Sequence, residues 1–183
     1  ASLAVLGSGD PALELALRRL AARHGGAVAV RIGYDEALAH RLIAGVDLLA
    51  MPSRYEPCGL TQLYALAYGT LPLVRRTGGL ADTVHEGDNG FVFEAADPAA
   101  LAAAIARARQ AWRDPPRWQA LQRAAMRARL GWDEAAHAHL TLYQGLAAAS
   151  PAAAAAVDAA GIGRPLQAAL PVTPVSPNPP RAN

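Results

Sequence analysis

The chain has 183 residues, enough for one domain with a real core. Its formal net charge is only +2 and every basic residue is arginine, scattered along the chain, which argues against a nucleic-acid surface. A single cysteine excludes an internal disulfide, and Pro, Gly or charge interrupts each apolar run before it could span a membrane. No basic-then-apolar leader stands at the N-terminus, so the expected compartment is the cytoplasm.

Leu3 to Leu6 reads as a strand that ends in the turn Gly7-Ser8-Gly9. Asp10-Pro11 supplies an N-cap and a first-turn proline. Leu13, Leu17 and Leu20 then recur at helical spacing, which predicts a helix to about His24. Ala27 to Ile32 is a second strand. Tyr34 to Ile43 is a second helix, with Asp35 and Glu36 in its first turn, where negative charge suits the dipole. Val46 to Met51 is a third strand, ended by Pro52. Gly59 to Tyr68 is a third helix, Leu71 to Val74 a fourth strand and Gly90 to Phe93 a short fifth. Asp97-Pro98 opens another helix with Leu101, Ile105 and Trp112 on one face, and helical segments follow around Trp118 to Leu130 and Trp132 to Leu146.

Alternating strands and helices, with short apolar strands, predict an α/β fold: a Rossmann-like parallel sheet with helices on both faces, then a helical C-terminal part. The domain is expected to end at residue 149. Ser150 to Asn183 holds seven prolines and ten alanines and no aromatic residue. Such a segment buries too little surface to offset its ordering entropy, so a disordered tail is expected there.

Ligands of such sheets bind at the carboxyl ends of the strands. The loops after Ile32, Met51 and Val74 open on that edge and carry Gly33-Tyr34, Ser53 to Gly59, and Thr77 to Gly79. In Glu56-Pro57-Cys58-Gly59-Leu60-Thr61, a helix start leaves amides unpaired and carries partial positive charge, which suits a diphosphate. Gly59 removes the side chain that would block close approach. Leu60 and Thr61 offer amides, and Thr61 also a hydroxyl. Glu56 could hydrogen-bond sugar hydroxyls. The same residues fit a capped turn with a solvated acid, and Cys58 reads as a small packing residue rather than a nucleophile. Thr77-Gly78-Gly79 offers a second set of amides or is a plain loop. Tyr34 could lay its ring on a nucleobase or simply pack. Of the adjacent Arg75 and Arg76, alternation along a strand lets at most one face a ligand, leaving the other for an ion pair. His137 and His139, two apart on a helix, do not share a face as metal ligands would.

The run Ile32-Gly33-Tyr34-Asp35-Glu36, then Asp47, then Met51 to Val84 (MPSRYEPCGLTQLYALAYGTLPLVRRTGGLADTV) resembles the C-terminal domain of bacterial glycogen synthase and plant starch synthase. These are retaining glucosyltransferases of the two-domain GT-B fold. The resemblance implies that Glu56 is the carboxylate contacting the donor glucose near the reacting centre. It implies that Cys58, Gly59, Leu60 and Thr61 form the turn over donor sugar and diphosphate, that Tyr34 packs on adenine, and that Thr77, Gly78 and Gly79 flank the donor sugar. The implied donor is ADP-glucose, the acceptor the non-reducing end of an α-1,4-glucan, with no cofactor and no metal. Many retaining GT-B transferases carry a second glutamate eight positions after the first. Here that position is Tyr64, as in glycogen and starch synthases. The family's N-terminal domain, with its Lys-x-Gly-Gly-Leu loop, and the Arg and Lys pair that grips the diphosphate have no counterpart in this sequence. The chain is therefore expected to be a fragment with little or no transferase activity alone. Other expectations compatible with the residues are a non-catalytic remnant or split-enzyme subunit that binds ADP or ADP-glucose, and a transferase using another nucleotide sugar.

Overall fold

The computed structural model describes residues 1–128 and 131–149. Two compact units divide the chain at residues 130 and 131. In the first, five strands alternate with six helices: β1 (Leu3–Gly7), α1 (Pro11–Arg23), β2 (Val28–Ile32), α2 (Glu36–Gly45), β3 (Leu48–Met51), α3 (Thr61–Tyr68), β4 (Leu71–Arg75), α4 (Gly79–Thr83), β5 (Phe91–Phe93), α5 (Pro98–Trp112) and α6 (Pro115–Arg127). The second unit contributes α7 (Trp132–Ala149), in which the Thr141 hydroxyl donates to the His137 carbonyl at 2.9 Å. The expected tail, Ser150 to Asn183, lies outside the described residues.

Every strand pair is parallel, as the alternation predicts. The strands form two sheets, β1-β2 and β3-β4-β5, rather than one continuous sheet. The β2–α2–β3 connection passes from the first sheet to the second, so β1 and β3 each have a hydrogen-bonded neighbour on one side only. Burial follows this division. Leu71 to Val74 on the central strand β4 are fully enclosed, whereas β1 and β2 are half-buried and α1 buries no residue completely.

The core lies on both faces of the second sheet. Leu71, Leu73, Phe91 and Phe93 alternate onto one face and meet Leu66 of α3, Ala104, Ala108 and Ala111 of α5, and Trp118, Leu121 and Ala125 of α6. Val74 and Val92 point the other way, against Leu80 of α4, Val84 and Met51. The Phe91 and Trp118 rings stack with centroids 6.2 Å apart.

Several element ends shift by a few residues from expectation, and three differences bear on the site or the core. Asp35 is the N-cap of α2 and accepts from the Leu38 amide at 2.9 Å, so the helix starts at Glu36. Thr77 to Gly79 is no plain loop, because Gly79 opens the short α4. On α5 the buried stripe is Ala104, Ala108 and Ala111, with Leu101 packed beside it, while Ile105 and Trp112 are 45% and 54% exposed. Small side chains let the helix lie close to the strands, and a stripe chosen by residue size selects the neighbouring face.

Candidate functional site

Glycines place the two loops of interest. After β3 the chain turns through Ser53 to Leu60, with Gly59 at φ +75°, and enters α3 at Thr61. After β4 it turns at Gly78, φ +47°, and enters α4. A Cβ on Gly78 would overlap the Glu56 carbonyl oxygen, and one on Gly79 would lie 2.5 Å from the Cys58 carbonyl oxygen. The Gly79 amide donates to the Glu56 carbonyl at 3.1 Å. The two turns are therefore in backbone contact, which only glycine at both positions permits.

The helix starts at these turns are unlike the others. Asp10, Asp35, Asp97 and Asp114 cap α1, α2, α5 and α6 by accepting first-turn amides. Among the described residues no side chain caps α3 or α4. The first amides of a helix have no partner within it, so the α3 start leaves donors open at the carboxyl edge of the second sheet, while those of α4 are taken by backbone carbonyls: Gly79 donates to Glu56, Leu80 to Thr77 at 3.2 Å and Ala81 to Gly78 at 3.0 Å. Thr61, Leu60 and Cys58 are exposed there.

Glu56 is half-buried beside these amides, and the Ser53 hydroxyl donates to its Oε2 at 3.4 Å. Arg75 holds the same loop from below. Its Nη1 donates to the carbonyls of Ser53 and Arg54, and its Nε to the Glu94 carbonyl at 3.1 Å. Arg76 instead forms an ion pair with Glu94 at 2.6 Å. The predicted division between the two arginines takes this form: one braces the loop backbone and the other pairs in solvent.

The structure brings Glu56, Cys58, Gly59, Leu60 and Thr61 together with Thr77, Gly78 and Gly79. Tyr34 is not locked to them. It follows Gly33, at φ +131°, and its ring is 86% exposed at the entry to α2. That helix reaches the site through α3, where the His40 ring lies 4.9 Å from Tyr64 and its Nδ1 is 3.1 Å from the Tyr68 hydroxyl. Sequence reading missed Gln62 and Thr83. Gln62 is the second residue of α3 and fully buried, and its Nε2 donates to the Cys58 carbonyl at 3.0 Å and the Thr83 hydroxyl at 3.3 Å. The available signal was an amide side chain on the face shared with Ala65 and Leu66. Among the described residues no cluster of three His, Cys, Asp or Glu side chains is placed to hold a metal ion, and no helix is long and apolar enough to cross a membrane.

Residues 1–110 match the family model described as Glycosyl transferases group 1. The chain belongs to this family. Among curated relatives of this group 1 transferase chain, the glycogen synthase of Halorhodospira halophila is 55% identical over 150 residues, covering 79% of the chain and 31% of the relative. That of Edwardsiella ictaluri is 52% identical over 155 residues, covering 80% and 32%. The chain thus spans about a third of the length of the relatives it matches. Among solved structures, the catalytic domain of starch synthase IV from Arabidopsis thaliana, bound to ADP and acarbose, superposes with a TM-score of 0.64 at 28% identity, over 78% of this chain and 38% of that one. The architecture is one Rossmann-like half of a GT-B glycosyltransferase.

Proposed function

We propose that this chain is the nucleotide-sugar half of an ADP-glucose-dependent glycogen synthase. One observation carries the reading: the open, glycine-led start of α3 meets the α4 turn at the Glu56–Gly79 hydrogen bond, with Glu56 itself at the junction. The names of the relatives, glycogen synthase at 52% and 55% identity, and the ADP bound in the starch synthase neighbour support the same donor class.

In the proposed reaction the bond from the anomeric carbon of glucose to the diphosphate oxygen breaks, and its electron pair leaves on ADP. The 4-hydroxyl oxygen of the glucan end forms the new bond on the same face and passes its proton to the departing diphosphate oxygen. Charge grows on the departing diphosphate, and the open amides of Leu60 and Thr61 at the α3 start are fixed donors that need no reorganisation to meet it. Glu56 holds glucose hydroxyls, and Tyr34 gives the adenine a ring to stack on. The acceptor and the wall that excludes water belong to the remainder of the protein, so the isolated chain transfers little glucose.

The test is glucosyl transfer to glycogen by the full-length protein carrying this chain, with calorimetry of ADP-glucose against UDP-glucose. Transfer from ADP-glucose with tighter binding than UDP-glucose is expected. Equal affinities would remove the donor assignment, and nucleotide binding without transfer would mark a non-catalytic remnant.

A further inference from the structure

Gln62 reaches both the α3 turn, which carries the open amides, and the α4 helix packed against it. Its carboxamide has two N–H groups and both are used: one goes to the Cys58 carbonyl, in the α3 turn, and the other to the Thr83 hydroxyl, at the end of α4. Thr83 passes the connection on, since its hydroxyl donates to the Gly79 carbonyl at 2.8 Å. A continuous path therefore runs from Cys58 through Gln62 and Thr83 to Gly79. The second half of the carboxamide faces Gly59. A Cβ on that glycine would overlap Gln62 Oε1, which is buried and without a hydrogen-bond partner among the described residues. An unpartnered buried acceptor is costly, and an apolar side chain of the same shape would avoid the cost. Keeping the amide there calls for a reason beyond packing.

We propose that Gln62 is a positioning residue for the donor site: with Thr83 it locks the α3 and α4 turns into one rigid cradle for the nucleotide diphosphate. This rests on the reading of the site as a nucleotide-sugar site. Glutamine suits the role because its carboxamide offers two N–H donors on one planar, uncharged group at the end of a two-methylene stem. Glutamate would set acceptors against the Cys58 carbonyl, and leucine would leave that carbonyl and the Thr83 hydroxyl unjoined. Gln62 touches no substrate itself, because it lies beneath Gly59. Its effect is on the spacing of amides that must all reach one diphosphate, where misplacement by about 1 Å can cost on the order of 100-fold in rate.

The experiment uses the full-length protein and three variants, Gln62→Met, Thr83→Val and Thr83→Ser. Donor and acceptor KM, kcat, ADP affinity and amide hydrogen exchange are measured for each. Gln62→Met and Thr83→Val are expected to raise donor KM and weaken ADP binding by about 10-fold or more, with acceptor KM unchanged. Exchange in residues 59–63 and 79–84 should rise together, and Thr83→Ser should restore both. Since the two variants break one path, the double variant should be no worse than the worse single one. Should Gln62→Met not fold, the Thr83 pair carries the same comparison. Unchanged donor KM and ADP affinity in Thr83→Val, or faster exchange in only one of the two segments, would overturn the proposal. If the wild-type protein binds no nucleotide, the functional reading falls, and the exchange data still decide whether the two turns are locked together.

Discussion

The Gly79 amide donates to the carbonyl of Glu56, 23 positions earlier in the chain, at 3.1 Å. The bond joins two turns that follow different strands, and it leaves no room for a side chain at residue 78. Gly78 sits at φ +47° and ψ −141°, outside the regions open to other residues, with the Glu56 oxygen where its Cβ would be. Gly78→Ala therefore meets both backbone strain and direct overlap. The expected loss is about 2–5 kcal/mol of stability, together with most nucleotide affinity. Urea unfolding and ADP titration of the variant check this, and a variant as stable as wild type would show that the turns separate easily.

Two glycines with the same backbone angle separate strain from crowding. Gly59 and Gly87 both have φ +75°, but a Cβ on Gly87 meets nothing within 4 Å, whereas one on Gly59 overlaps the Gln62 carboxamide. Gly87→Ala should cost only the left-handed conformation, about 1–2 kcal/mol. Gly59→Ala should cost about 1–3 kcal/mol more and disturb donor binding. Paired denaturation curves read the difference directly. Equal losses would mean that Gln62 moves aside without penalty.

Much of this arrangement was legible in the chain before any coordinates. Asp10-Pro11 and Asp97-Pro98 announced helix starts that the structure keeps, because a capping carboxylate and a fixed φ act locally. The convergence of Glu56 to Thr61 with Thr77 to Gly79 followed from parallel strands that place their loops on one edge. What was not legible depends on neighbours far away in sequence. The alanine stripe of α5 carries no size signal, and its burial is set by β5 and α6. The division into two sheets is a matter of which strand edges meet, to which the apolar runs of β1 and β3 are indifferent. Gln62 and Thr83 are 21 positions apart, and nothing in either residue type announces their hydrogen bond.

Glu56 makes few interactions that hold the fold. Among the described residues its carboxylate meets only the Ser53 hydroxyl, at 3.4 Å, and the contact to α4 uses its backbone. In the full-length protein, Glu56→Gln should therefore leave the melting temperature near that of wild type. It should lower kcat by about 100-fold or more, since the proposed function puts this carboxylate beside the reacting sugar. A thermal scan with steady-state kinetics tests both parts. Loss of stability in step with activity would reassign Glu56 to the scaffold.

The two tryptophans at the α5–α6 turn give a contrast in burial. Trp118 is 7% exposed and stacks on Phe91, while Trp112, the last residue of α5, is 54% exposed. Trp118→Ala should cost about 3–5 kcal/mol through the cavity it leaves between α6 and β5. Trp112→Ala should stay within about 1 kcal/mol. Comparable losses would place Trp112 under cover in the full-length protein.

Arg75 and Arg76 are adjacent and chemically identical, yet their variants should behave differently. Arg76 pairs with a Glu94 side chain that is 72% exposed, a geometry in which an ion pair contributes little. Arg76→Ala should change stability by less than about 1 kcal/mol and leave the donor KM alone. Arg75 donates to three carbonyls and ties the Ser53–Arg54 stretch to the Glu94 backbone. Arg75→Ala frees the loop that presents Glu56. It should raise hydrogen exchange across residues 53–58 and lower kcat/KM for the nucleotide sugar by roughly 10-fold, with a stability loss of about 1–3 kcal/mol. Arg75→Lys should recover little of this, because one ammonium cannot reach carbonyls on both the Ser53–Arg54 and Glu94 segments as the planar guanidinium does. Equal kinetics for the alanine variants at 75 and 76 would show that the loop holds its shape without the brace.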